Sequence, residues 1–254
     1  MRVLVCVKRV PAPGARIVLT DDQQAVDARH LPFTVSPHEE CAVEEAVRIK
    51  EEHGGSVVVL TLGPVEAEEQ LRYAVSVGAD EAALLTTDGS DWDPQATAAA
   101  IAHRTAELEE AGGGFDLILF GNESADSAGY QVGIRVAHAL SRPVVSGIKG
   151  LEIDDNIVVA RRETGDGFEV YRLPLPAVIA VKEGINLPRY PTLPSRLKAK
   201  KVEVAATQPK QEVGGLQMLR LVSPPEVASA TAILGQGPEA APAVVDLFEK
   251  LGLV

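Results

Sequence analysis

Cysteine, aromatic residues and long apolar runs are all scarce in this sequence of 254 residues. Its two scattered cysteines, Cys6 and Cys41, form neither a disulfide framework nor a zinc-binding pattern, and we interpret both as small buried hydrophobic residues. No apolar run approaches the roughly 20 residues of a membrane-spanning helix. The N-terminal apolar run is too short for a signal peptide, and Lys8 and Arg9 interrupt it. These absences predict a cytoplasmic protein without a metal site or membrane insertion.

Positive charge is also in the minority, with 24 basic against 36 acidic residues and a formal net charge of −12. An acidic surface repels phosphate backbones, which argues against nucleic acid as a partner. Five basic residues nevertheless lie between positions 189 and 201, where no acidic residue occurs. The surrounding stretch NLPRYPTLPSRLKAKK, residues 186–201, contains three prolines, which we expect to exclude an ordinary helix or a central strand.

Short apolar runs alternate with helical patterns in the first half of the chain. Buried strands are expected at 2–7, 56–62, 81–85 and 115–120. Helices are expected from residue 37 onward, at about 67–77, at about 93–110 and at about 127–139. The alternation indicates an α/β fold, a mostly parallel open sheet with helices on both faces. Such sheets bind ligands at the carboxyl ends of their strands, here after Val7, Leu62 and Phe120.

The second half of the chain has a different pattern. Strands at 148–153, 157–163 and 168–173 are separated by tight turns and predict antiparallel strands at the sheet edge, before a core strand at 176–181. We therefore expect an α/β domain over residues 1–200. Residues 201–254 are expected to form an extended C-terminal arm with a short terminal helix, which either packs on its own domain or reaches across to a partner.

The first helix carries two further predictions. Ser36 and Glu39 have the spacing of a capping box, in which each side chain binds the backbone N–H of the other residue, and Pro37 suits the first helical position. Glu44 and Arg48 are four residues apart, which favours an ion pair on the solvent side of the helix.

No catalytic constellation is recognisable in the sequence. It lacks a phosphate-binding loop of the Gly-x-x-x-x-Gly-Lys-Ser/Thr type and a Gly-x-Gly-x-x-Gly after the first strand. The five histidines lack metal-binding spacing, and Asp93 before Pro94 is better explained as a helix start than as a calcium ligand. We predict that the chain has no enzymatic reaction of its own.

Two segments are candidates for binding. GNESADSAGYQVG, residues 121–133, follows a buried strand and opens a helix, where backbone N–H groups can hold a phosphate; Gly129 and Gly133 permit close approach. The alternative is an ordinary turn capped by Asp126 or Ser127. The proline-stiffened stretch at 186–201 is suited to docking on an acidic partner, and its alternative is a solvated charge run.

Three stretches together resemble the beta subunit of electron transfer flavoprotein. They are VLVCVKRV at 3–10, SPHEECAVEEA at 36–46, and LPLPAV at 173–178 followed by NLPRYPTL at 186–193 and KAKK at 198–201. The resemblance covers nearly the whole chain in order, and its third stretch is the most specific.

The resemblance implies a heterodimer in which a larger alpha subunit holds most of the redox-active FAD and this chain helps to hold it. Such a heterodimer carries electrons from acyl-CoA dehydrogenases of fatty acid beta-oxidation, and from related dehydrogenases, to a membrane quinone oxidoreductase. The beta subunit itself binds a structural AMP or, in bifurcating relatives, a second FAD. Of these two ligands, AMP is favoured here.

The resemblance also assigns residues. The nucleotide-binding positions are Cys6, Ser36, Pro37, His38, Glu39, Leu62, Gly121, Asn122, Glu123, Ser124, Ala125, Asp126, Ser127, Ala128, Gly129, Tyr130, Gln131 and Val132. Residues 184–201 correspond to the family's recognition loop, in which Leu193 enters an apolar pocket of the dehydrogenase. The partner-binding residues are Pro188, Arg189, Tyr190, Pro191, Leu193, Leu197, Lys198, Lys200 and Lys201.

The sequence departs from the family pattern at three places. Ser36 replaces the usual Asn before Pro37, only Asp126 remains of adjacent aspartates, and residues 11–14 offer no aromatic residue towards the flavin.

Two other functions are alternatives on the adenine-nucleotide hydrolase-like fold. An ATP-using enzyme would carry a Ser-Gly-Gly loop after the first strand, and a nucleotide-sensing stress protein would end near the fourth or fifth strand; neither feature is present.

Overall fold

The computed structural model describes residues 1–212, 214–225 and 231–254. Its strands are β1 (Arg2–Val7), β2 (Arg9–Pro11), β3 (Phe33–Val35), β4 (Ser56–Gly63), β5 (Glu81–Thr86), β6 (Leu117–Gly121), β7 (Val144–Asp154), β8 (Ile157–Thr164), β9 (Gly167–Pro174), β10 (Ala177–Val181) and β11 (Val204–Thr207). The α-helices are α1 (Pro37–His53), α2 (Glu68–Val77), α3 (Pro94–Gly112), α4 (Val132–Ala139), α5 (Leu193–Ala199) and α6 (Ala241–Lys250).

Nine of the strands form one sheet in the order β11-β5-β4-β1-β6-β10-β7-β8-β9. The pairs from β11 through β7 are parallel. The pairs β7–β8 and β8–β9 are antiparallel. The predicted fold class, with its antiparallel edge strands, is confirmed.

The central strand β1 is buried on both faces, which explains its unbroken apolar sequence. Val3 and Val5 pack among residues of α1 and α2, whereas Leu4 and Cys6 pack among residues of α3 and α4. Cys6 and Cys41 are both free and buried, as predicted.

The proline-rich segment was only partly predicted. Thr192 caps α5 by accepting the backbone N–H of Ser195, and Pro194 lies in the first helical turn, where its missing N–H costs nothing. The expectation that the prolines exclude a helix over the whole of 186–201 is therefore wrong. Pro188 and Pro191 do precede the helix in a non-helical path.

Three short strands escaped the sequence analysis. The strands β2 and β3 form a separate two-stranded sheet, and β11 extends the main sheet by pairing with β5. Each of the three has only three or four residues, which is too few to produce a recognisable strand pattern.

The arm makes backbone contacts with the segment that precedes β3. Leu221 donates its N–H to the carbonyl oxygen of Gln23 at 2.8 Å, and the Gln24 side chain donates to the Leu219 carbonyl at 3.1 Å. The residues of the described part of α6 are all at least partly exposed. Part of the predicted arm, residues 213 and 226–230, lies outside the described residues. Within the described ranges, no helix combines the length and apolarity needed to cross a membrane.

Candidate functional site at the strand tips and the recognition loop

The parallel register brings three of the predicted positions to one edge of the sheet. Cys6 lies beside Leu60 of β4 on one side and Phe120 of β6 on the other, so Leu62 near the end of β4 and Gly121 at the end of β6 lie at the same edge. We call this region, together with residues 36–39 and 121–132, the strand-tip site. Leu62 packs on the α3 side of the sheet and is separated by β1 from the loop at 121–131.

Glu39 is the buried acid of the strand-tip site. Its Oε2 accepts the backbone N–H of Lys8 at 2.7 Å, and Gly121 leaves room for it, since a Cβ at position 121 would lie 2.6 Å from Glu39 Cγ. Burial raises the pKa of Glu39 to about 8, against the opposing effect of the Lys8 N–H and ammonium. Burial likewise raises the pKa of the neighbouring Cys6 thiol, and Glu39 adds to that shift.

The capping box at the start of α1 forms only in part. Ser36 is the N-cap residue and Pro37 follows it, as predicted. The Ser36 hydroxyl, however, points to the carbonyl oxygen of Glu123 at 3.4 Å instead of capping the helix, so the reciprocal arrangement is wrong. The hydroxyl thereby links α1 to the loop after β6.

His38 joins three segments of the site. Its Nδ1 accepts the backbone N–H of Glu183 at 2.8 Å, and its Nε2 lies 3.2 Å from Glu123 Oε1. Because Nδ1 is an acceptor, the ring proton is on Nε2 and is donated to Glu123. One imidazole therefore connects the start of α1, the loop after β6 and the segment that leads into the recognition loop.

The loop after β6 folds on itself before α4 begins. Lys8 Nζ lies 2.6 Å from Asp126 Oδ2, and the Ser127 N–H donates to Asp126 Oδ1 at 2.8 Å. Partial burial opposes ionisation of Asp126, but the Lys8 ammonium and the neighbouring donors together lower its pKa. The Ser124 and Ser127 hydroxyls are 2.8 Å apart, which closes the turn.

The start of α4 differs from the prediction by five residues. The helix begins at Val132, so neither Asp126 nor Ser127 caps it. Ala128 and Tyr130 have φ angles of 45° and 54°, in the left-handed region that a right-handed helix excludes. Gln131 is the N-cap residue, and its side-chain oxygen accepts from Arg135 rather than from the backbone of the first turn.

Asn122 of the loop and Gly133 of α4 contribute to the packing of the site, whereas Gly129 does not. Asn122 accepts the Gly147 N–H at 2.8 Å through Oδ1 and donates its own N–H to the Val181 carbonyl at 2.7 Å. A Cβ at Gly133 would lie 3.1 Å from the Phe120 ring, whereas one at Gly129 would meet only Pro94, at 4.0 Å. Close packing of the protein therefore explains Gly133 but not Gly129.

The remaining predicted nucleotide-binding residues lie on the outer part of the loop. Glu123 and Ser124 are half-buried, and the more exposed members are Ala125, Asp126, Ser127, Ala128 and Tyr130. Lys8 was missed by the sequence analysis, although its position directly after β1 is a signal of the same kind as that of Cys6.

The recognition loop presents apolar side chains to solvent. Tyr190 is 93% exposed and Leu193 is 71% exposed, and Leu197 projects from the next turn of α5. The cations Lys198, Lys200 and Lys201 are also exposed. Pro188, Pro191 and Arg189 are half-buried at the base of the loop. Leu187 and Arg196 are exposed as well and were absent from the predicted set, although they lie within the same stretch.

The acidic residues of α1 are arranged differently from the prediction. Arg48 lies 3.6 Å from Glu45 rather than pairing with Glu44, and both acids are buried, so the stripe facing the protein is wider than expected. Glu44 instead pairs with Arg189 of the recognition loop. The predicted Glu44–Arg48 pair is therefore wrong, because a distant part of the chain supplies the cation.

Known proteins resemble this chain over most of its length. A family model described as electron transfer flavoprotein domain matches residues 25–211. The electron transfer flavoprotein subunit beta of Bacillus subtilis (strain 168) is 34% identical over 202 residues, covering 79% of this chain and 76% of that relative. The protein of the same name from Mycobacterium tuberculosis (strain ATCC 25618 / H37Rv) is 36% identical over 208 residues, with 80% and 77% covered. Subunit CarD of the caffeyl-CoA reductase-Etf complex of Acetobacterium woodii is 35% identical over 196 residues, with 75% and 71% covered.

Proposed function

Because the chain belongs to the electron transfer flavoprotein beta-subunit family, we propose that it is one half of a heterodimeric electron carrier. A larger alpha subunit holds most of the FAD, and this chain completes the flavin site. The heterodimer accepts electrons from acyl-CoA dehydrogenases and related dehydrogenases and passes them to a membrane quinone oxidoreductase. The observation that carries this proposal is the recognition loop, where Leu193 and Tyr190 stand exposed beside lysines on an otherwise acidic protein.

The strand-tip site is proposed to hold AMP. The first turn of a helix has backbone N–H groups without helical acceptors, and in α4 the Gln131 side chain leaves them to a ligand by bonding Arg135. Lys8, which pairs with Asp126, places a cation at the same edge of the sheet. Burial raises the pKa of Glu39 to about 8, which disfavours a negative charge at that position beside the phosphate. The residues present therefore suit an adenylate, whose role is to stabilise the structure of the subunit.

The nucleotide can be identified directly. The heterodimer is denatured, and the released small molecules are separated and weighed by mass spectrometry. One AMP per heterodimer beside one FAD supports the structural role. Two FAD molecules would assign the strand-tip site to a second flavin, and a single FAD without any other nucleotide would overturn the assignment of this site.

The chain is proposed to act without a reaction of its own. Its part is to brace the flavin of the partner subunit and to present the recognition loop. The isolated chain should therefore neither hydrolyse ATP nor reduce a dye with acyl-CoA, whereas the flavin-loaded heterodimer should be reduced by an acyl-CoA dehydrogenase. Repeated ATP turnover by the pure chain would instead favour an ATP-using enzyme of the adenine-nucleotide hydrolase-like fold.

A further inference from the structure

Arg189 lies within the recognition loop but directs its guanidinium back to α1. Its Nε and Nη2 donate to the two carboxylate oxygens of Glu44, both at 2.9 Å. Its Nη1 and Nη2 donate to the two oxygens of Glu51 at 2.6 and 2.9 Å. The backbone N–H of Arg189 also donates to Glu44, at 3.1 Å. Two bidentate ion pairs thus hold both the side chain and the backbone of this residue.

The two carboxylates differ in their exposure. The Glu44 side chain is 6% exposed, whereas the Glu51 side chain is 54% exposed. A buried carboxylate without a partner is strongly destabilising, so Glu44 requires Arg189 more than Glu51 does. The hydrogen bonds to Glu51 and Glu44 raise the pKa of the guanidinium further, and the bond from Arg189 lowers the pKa of Glu51.

Neighbouring contacts continue this attachment along α1. Asn186 Nδ2 donates to Glu45 Oε2 at 2.8 Å and to the Cys41 carbonyl at 3.0 Å. At the other end of the loop, Arg72 Nη1 donates to the carbonyl oxygens of Ala199 and Val202 at 2.8 and 3.3 Å, where a cation suits the end of α5. Residues 190–198, the more exposed part of the loop, therefore lie between two ends that are hydrogen-bonded to the rest of the protein.

We propose that Glu44 is a positioning residue for electron uptake, which through Arg189 holds residues 190–198 in the orientation that the dehydrogenase binds. The inference rests on the proposed docking function of the recognition loop. Arg189 then fixes the position of the loop rather than offering a free positive charge to the partner, because two edges of its guanidinium group are bound to Glu44 and Glu51. A loop ordered before docking loses less conformational entropy when the partner binds, so the anchor acts on affinity rather than on the transfer step.

The test uses the flavin-loaded heterodimer and an acyl-CoA dehydrogenase from the same organism, with Glu44→Gln as the main variant. Glutamine keeps the size of the side chain but loses the bidentate charge. We expect the KM for the dehydrogenase to rise about tenfold, within the range of coupling between contacting residues. The kcat should stay unchanged, and hydrogen–deuterium exchange at 186–201 should become faster. Glu52→Gln is the matched control. It makes the same change of charge on the same helix, but the Glu52 side chain is 77% exposed and its ion pair is with His53.

A double-mutant cycle separates positioning from direct recognition. If Glu44 acts through Arg189, then adding Glu44→Gln to Arg189→Ala should raise the KM no further than Arg189→Ala alone. A normal KM and normal exchange in Glu44→Gln, beside a raised KM in Arg189→Ala, would overturn the proposal and make Arg189 a direct contact. Should Glu44→Gln fail to fold, Glu51→Gln is the substitute, and it should shift the KM in the same direction by a smaller factor.

The proposed function has a separate control in the same assay. Leu193→Ala should raise the KM whatever the role of Glu44, because it removes the docking side chain itself. A raised KM in Leu193→Ala with an unaffected Glu44→Gln defeats only the positioning role. An unaffected Leu193→Ala defeats the docking function and the positioning role together.

Discussion

His38 and Glu123 face each other across the strand-tip site, with Nε2 of the imidazole 3.2 Å from Oε1 of the carboxylate. The other ring nitrogen accepts from the Glu183 N–H, so the ring connects the loop after β6 to the segment before the recognition loop. This one side chain therefore links the two candidate binding regions. Its partners, Glu123 and Glu183, follow β6 and β10, which end at the same edge of the sheet.

Replacing His38 by leucine should loosen this bridge. The substitution removes the bonds from His38 to the Glu183 N–H and the half-buried Glu123 carboxylate, which should cost about 0.5–1.5 kcal/mol of unfolding free energy because solvent reaches the Glu183 N–H. Urea unfolding of the chain measures the loss. His30→Leu changes an exposed histidine and should cost little by comparison. Equal losses in the two variants would mean that the bridge adds nothing to stability.

Glu39 should make the stability depend on pH. Its pKa is raised from 4.5 to about 8 in the folded chain, so the folded state holds the proton more tightly than the unfolded state does. The stabilisation from this proton is fully present below the unfolded pKa and is lost as the pH rises through the folded value. Wild type should lose up to about 1.4 kcal/mol per pH unit across this window, whereas Glu39→Gln should lose less.

Unfolding midpoints of wild type and Glu39→Gln at several pH values between about 5 and 9 test this expectation. Glu52→Gln serves as the exposed control and should follow wild type. Parallel curves for wild type and Glu39→Gln would show that Glu39 is charged in the folded chain at neutral pH.

Leu193→Ala should weaken docking without disturbing the cofactors. Loss of a leucine that fills a partner pocket costs about 2–4 kcal/mol when the residue is a hot spot, because the pocket is left unfilled. Electron uptake from an acyl-CoA dehydrogenase should slow at limiting dehydrogenase, while the flavin content of the heterodimer stays the same. Leu187→Ala is the comparison, since Leu187 is 90% exposed in the same loop. Equal effects would indicate a general apolar contact rather than one inserted side chain.

Charge reversal at Lys200 and Lys201 should act mainly on the rate of association. These exposed lysines are expected to steer the loop towards an acidic surface, an effect that salt screens over about 10 Å at 0.1 M. Stopped-flow mixing should therefore detect slower association of the Lys200→Glu/Lys201→Glu variant, with the largest difference at low salt. Reversal of Lys210 and Lys250, which lie outside the loop, is the control. Association that is insensitive to salt in wild type would argue against steering.

Much of the architecture is readable from local patterns. The apolar runs of β1, β4, β5 and β6 are unbroken because these strands are buried on both faces, and that property is written into consecutive residues. The alternation with helices then leads to a parallel sheet and to its carboxyl edge as the binding edge. Short elements such as β11 cannot be recognised from the sequence, because four largely exposed residues form no pattern.

The sequence by itself determined the fold class and the exposed, cationic character of the recognition loop, and it predicted a candidate site at the strand tips. Only the tertiary structure decided which charges remain free. Glu44 has a cation four residues away in Arg48, yet it pairs with Arg189, and Ser36 turns from its own helix to Glu123. Local spacing describes neighbours along one helix, whereas a buried polar group takes its partner from whichever distant segment the fold packs against it.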